Sequence, residues 1–154
     1  MTWIRSCIGF LALVSVAGCA SQLQGDVDYD ETVDFQRYRS FAFAPLPKDR
    51  ETNPNWVRAR DEIRHALVAK GLSQASSNPD LLIRYALGTR NKVRLSGAST
   101  QGILGGIWIN LQDAKTGELL WHGWAAETWL ESMDAGAEIR KAVDLLLAQF
   151  PPPA

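Results

Sequence analysis

The chain predicts an α+β fold, a two-layer sandwich in which a mostly antiparallel sheet of about five strands carries two helices on one face. Three patterns point to it: short stretches alternating in a two-residue period, two longer stretches with apolar residues every three to four positions, and turn-forming clusters between them. Read along the chain, they give strand, strand, helix, strand, strand, strand, helix.

The first segment is not part of that domain. Arg5 precedes an apolar run from Ile8 to Ala17 that is too short for the roughly 20 residues a spanning helix needs, and it ends in small residues, the build of a secretory signal peptide. Its close, Val16-Ala17-Gly18-Cys19, resembles the bacterial lipobox, in which the cysteine thiol receives lipid and the peptide is cut just before it. Residues 1–18 are therefore expected to be removed, residues 19–25 to form a lipidated N-terminus and short tether, and residues 26–152 to form a single domain. Ala20 and Ser21 stand where an aspartate would favour retention in the inner membrane, so the periplasmic face of the outer membrane is the expected location.

An acidic stretch from Gln22 to Asp34 leads into Phe35, Tyr38, Phe41 and Phe43, with RSFAFAP alternating as a strand and Pro45 and Pro47 ending it. NWVRARDEIRHALVAKG places Trp56, Ala59, Ile63, Ala66 and Leu67 on one helical face, with Asn55 read as the N-cap and Gly71 past the C-terminus. LLIRYAL is apolar enough for a central strand. Ile107, Ile109 and Leu111 alternate with Asn110 and Gln112, and DAKTGE, with Gly117 at the positive-φ position, closes a hairpin onto LLWHGWA. The last helix lines up Ile139, Ala142, Val143, Leu146 and Phe150, with Asp134 as its expected cap and three prolines beyond it.

Charge and cysteine usage narrow the function classes. A net charge of −1 gives no basic excess for nucleic acid. Cys7 lies in the discarded peptide and Cys19 is reserved for lipid, so no disulfide within the mature chain is expected and stability must come from a core, with Trp56, Trp108, Trp121, Trp124 and Trp129 as its bulk. DVDYDE begins like a calcium loop but has Glu31 where a glycine must turn and Arg37 where a bidentate glutamate is needed. His65 and His122 lie on different elements, short of the ligands a zinc site requires. No nucleophile elbow or phosphate-cradling glycine loop is present. No metal or cofactor is expected.

Two features remain. Arg90, Lys92 and Arg94 alternate beside a Gly- and Ser-rich stretch and form a candidate site for an anionic partner, the plainer reading being charges that protect a strand edge from aggregation. Trp121 and Trp129 share one strand parity and Trp124 the other; packing toward the helices is the first reading, and a carbohydrate platform the second.

VDYDETVDFQRYRSFAF, a helix ending AKGL, NPDLLIRY, DAKTGELLWHGWA and a final helix ending QFPP together resemble the bacterial lipoprotein family catalogued as domain of unknown function 4136, over roughly Val27 to Pro152. The segment 96–106 departs most from the pattern. The resemblance implies a secreted lipoprotein with a small α+β domain and no established reaction, and it brings no catalytic residue. The expectation is an outer-membrane lipoprotein held by lipid on Cys19, whose non-catalytic domain binds or scaffolds an envelope protein, anionic lipid or glycan; the alternatives are a cell-wall glycan module using exposed tryptophans, or a hydrolase with a scattered site.

Overall fold

The computed structural model describes residues 23–94, 101–130 and 135–150, with side chains placed for 23, 25–88, 106–126 and 135–150. Six strands form one sheet, β1 (Gln24–Tyr29), β2 (Ser40–Phe43), β3 (Ser73–Gln74), β4 (Leu81–Arg94), β5 (Gln101–Asp113) and β6 (Leu119–Leu130), in the order β1-β6-β5-β4-β2-β3. The β4-β5-β6 meander and β1 are antiparallel, while β2 runs parallel to both β3 and β4. Helices α2 (Pro54–Ala69) and α3 (Ala135–Ala148) accompany the sheet, with a single-turn α1 (Lys48–Glu51) before α2. The fold is the α+β sandwich that the periodicities predict. The ordered sheet starts two positions before the expected boundary at 26, because Gln24 and Gly25 already pair with Ala126 and Ala125.

Alternation sorts the sheet into two faces. Leu81, Ile83, Tyr85, Ile107, Ile109, Leu111, Trp121 and Ala125 are buried against the helices. Helix α2 contributes Trp56, Ala59, Ile63 and Leu67, four of the five positions its spacing marks, with Ala66 only partly buried. Helix α3 contributes Ile139, Ala142, Val143 and Leu146 and also Leu147, which the single-stripe reading left out because α3 is buried over a broader arc. Phe150, just beyond it, stacks edge-on against Phe35 at 5.7 Å and Trp121 at 6.0 Å, closing the core at that end.

The start of α2 differs from expectation by two residues. Asn53, not Asn55, is the N-cap, its side-chain oxygen accepting from the backbone N–H of Asn55 at 3.0 Å and of Trp56 at 3.5 Å, and Pro54 follows at the first helical position, where its missing N–H costs nothing. Gly71 does end the helix in the left-handed region, at φ +90°, and Gly117 takes φ +75° in the β5-β6 turn. Asp134, the expected cap of α3, lies outside the described residues.

Candidate functional site

Two places on the domain are unlike its core. The first is a cleft of about 330 Å³ lined by Arg37, Tyr38, Asp80, Asp113 and Lys115. Three elements meet there: the 3-10 turn Phe35–Arg37 with the residue after it, the entry to β4, and the β5-β6 turn. Asp113 organises the turn, with Oδ1 accepting from the backbone N–H of Lys115 at 2.8 Å and Thr116 at 3.0 Å. Its Oδ2 accepts from Tyr38 Oη at 3.0 Å and from Arg37 Nη2 at 3.3 Å. Asp80 similarly ties β4 to β2, one oxygen accepting from the Arg39 and Ser40 N–H groups, both at 3.0 Å, and from Ser40 Oγ at 2.8 Å.

These bonds set the electrostatics. The backbone N–H groups of Thr116 and Lys115 hold the Asp113 carboxyl below its ordinary range, against the cost of burial. The backbone N–H of Arg39, then the Ser40 hydroxyl, does the same for Asp80. Burial pushes the Tyr38 phenol up. Both carboxylates therefore stay ionised at neutral pH, held by the N–H and hydroxyl groups they accept from, which suits fastening loops better than donating a proton.

The second place is the sheet face turned away from the helices. Trp108 of β5 stands opposite Trp124 of β6, with Ala86 of β4 and Asp26 of β1 completing that rung. Both indoles are half-buried. Two glycines make room for Trp108: a Cβ on Gly88 would sit 2.7 Å from its ring and one on Gly106 3.3 Å, so the ring lies along the sheet surface. Two rungs toward the cleft the same face turns polar. His122 donates from Nδ1 to Asn110 Oδ1 across the strands, Arg84 Nε donates to Gln112 Oε1 at 2.8 Å, and Asp28 pairs with His122 at the edge.

The residues singled out from sequence fall elsewhere. Cys19 lies outside the described residues. Arg90, Lys92 and Arg94 lie in the part of β4 that continues past the start of β1, paired with Leu104, Ile103 and Gln101, and the register shifts between Arg90 and Lys92. Their side chains lie outside the described residues. His65 is exposed on α2, and Trp121 is fully buried in the core. Sequence reasoning passed over Asp80 and Asp113, although NPD before a strand and D-x-x-T-G in a turn are patterns in which an aspartate caps backbone N–H groups.

The described residues thus form a mixed α+β sheet with one helix-covered face and a polar cleft at one end, and among them no group of three metal-ligating side chains comes together. The chain belongs to the family of the domain of unknown function DUF4136, whose model matches residues 26–152. A solved DUF4136 family protein from Bacteroides thetaiotaomicron is similar in fold, with a TM-score of 0.59 at 13% identity, covering 86% of this chain and 97% of that one. A PDZ domain protein from Parabacteroides distasonis reaches 0.67 at 21% identity over 85% of this chain, which spans 37% of the length of that protein. PelC from Paraburkholderia phytofirmans, solved as a dodecamer, reaches 0.56 at 12% identity over 82% of this chain and 95% of its own. No curated protein matches.

Proposed function

We propose that this protein is a lipoprotein of the outer membrane, facing the periplasm, whose domain binds or scaffolds an envelope component without catalysis. The observation that carries the reading is the distance between the lipobox and the fold. Cys19 precedes Gln24, the first residue of β1, by five positions, a reach of roughly 17 Å even when fully extended. A chain lipidated at Cys19 keeps its domain flush with the bilayer, while the Arg37–Asp113 cleft opens at the other end of the sheet. Seven residues of β5 separate Gly106, level with Gln24, from Asp113, or roughly 23 Å. The non-catalytic reading rests on Asp113, both of whose oxygens accept from backbone or side-chain donors, and on Asp80, one of whose oxygens does.

A domain fixed this way suits contact with a partner already in the envelope, and Arg90, Lys92 and Arg94 remain the proposed contact for an anionic one. The PelC dodecamer is a precedent for self-assembly within this fold. Trp108 and Trp124, side by side on the uncovered face, favour a second reading as a glycan-binding module. The test is intact-mass analysis of the mature chain with membrane fractionation: wild type should carry acyl chains on Cys19 and sediment with outer membranes, while Cys19→Ala should be unacylated and released. Acylation of the variant at wild-type level would overturn the anchoring reading, and in-cell crosslinking with mass spectrometry of the crosslinked species would then name the partner.

A further inference from the structure

The face of the sheet that no described element covers is graded along the strands, and the gradient runs with respect to the N-terminus. On the rung of Gln24 stand Gly88, Gly106 and Ala126, and two residues along stand Ala86, Trp108 and Trp124. Beyond them, toward the cleft, come Arg84, Asn110, Gln112 and His122, tied to one another across the strands. The apolar half is thus the half from which the chain leaves for Cys19, and the Trp108–Trp124 rung lies roughly 7 Å along the strands from Gln24.

From this gradient we infer that the Trp108–Trp124 half of the uncovered sheet face rests on the bilayer surface, at the level of the lipid headgroups. The inference deepens the anchoring reading and rests on it: a tether of at most roughly 17 Å brings this half of the face within reach of the membrane and leaves the polar half and the cleft farther out. Tryptophan is the side chain most at home at that level, its ring apolar and its N–H available to headgroups. Gly88 and Gly106 let the Trp108 indole recline against the sheet, so the ring presents area without standing clear of the surface. Beyond the Gln24 rung, β4, β5 and β6 continue to Arg94, Gln101 and Leu130, so the basic residues at 90, 92 and 94 and the apolar Ile103, Leu104 and Leu130 are carried in strands extending from this same end. Asp26, exposed at the edge of the tryptophan rung, sets the depth: its carboxylate keeps β1 in water, so the face lies on the surface without entering the hydrocarbon.

The experiment uses the full, acylated chain reconstituted into phosphatidylethanolamine and phosphatidylglycerol vesicles whose lipids carry bromine near the top of one acyl chain. Intact mass first establishes acylation of Cys19. Tryptophan emission should be quenched relative to unbrominated vesicles, and most of that quenching should vanish in Trp108→Phe/Trp124→Phe, which keeps the buried Trp56 and Trp121 as well as Trp129. Adding Gln112→Trp to that background places an indole on the polar half, where it should respond to iodide in the water and not to bromine in the lipid. The wild-type measurement stands even if a variant fails to fold. Acylated protein quenched by iodide alone would overturn the inference and leave the anchoring reading intact. So would tryptophans shielded only as the surface density of the protein rises, which marks a second copy as the occupant, or only when peptidoglycan fragments are added, which marks a glycan. A chain with no acyl group on Cys19 would overturn both.

Discussion

On each face of the sheet a tryptophan reclines over glycine, and the two cases differ in what lies above. Under the helices, the Trp121 ring lies over Gly123, where an added Cβ would meet it, and Phe150 closes edge-on against it. On the other face, Trp108 lies over Gly88 and Gly106, and it and its neighbours Ala86 and Trp124 are only half-buried. The local device is the same. In one place it lets a large ring lie flat enough for a helix to pass over it; in the other it flattens a surface.

The contrast is sharpest for stability. Trp121→Ala should cost ~3–5 kcal/mol, as for other large-to-small core changes, while Trp108→Ala should cost about 1 kcal/mol, within the ordinary range for a partly exposed site. Urea unfolding of the two variants measures the difference, and equal costs would mean the two faces are equally covered. The glycines should follow in the same order. Gly123→Ala forces a methyl into a fully buried indole and should cost ~1–3 kcal/mol, whereas at Gly88→Ala the half-buried Trp108 ring can swing outward and the loss should be smaller.

Folded Asp113 holds its proton more weakly than unfolded Asp113, so its contribution is complete above the unfolded carboxylate range and is lost as pH falls through the depressed folded value. Unfolding free energy should therefore drop as pH falls below about 5, and Asp113→Asn should flatten that drop while lowering stability at neutral pH. A variant with the wild-type pH profile would show that the carboxylate charge is not what holds the turn. The smallest effect is a null: the domain beyond Cys19 has no cysteine, so its melting temperature should not move when reductant is added.

What the sequence disclosed follows from how local each feature is. The buried stripe of α2, the glycine beyond it and the Gly117 turn depend on neighbours within a few residues, and all three read correctly. The cap of α2 was misplaced because Asn53 and Asn55 are both good caps, and only the proline between them shows which one can precede a first turn. Strand order was beyond reach, since the partner of β1 is β6 and β2 joins β4 in parallel across α2, pairings that no local pattern encodes. The cleft was missed for a related reason: Tyr38 and Asp113 are far apart in the chain and meet only because the β2-β4 pairing brings them to one end.

That first-to-last pairing also orders events in time. Gln24 of β1 bonds to the rung of Ala126, so the first strand can be zipped into the sheet only after β6 has been made. Contacts so distant in sequence form late, because the chain between them must be gathered first. Pulse-labelled hydrogen exchange should accordingly find the β1 amides among the last to gain protection. The β1 edge is the seam at which the fold closes.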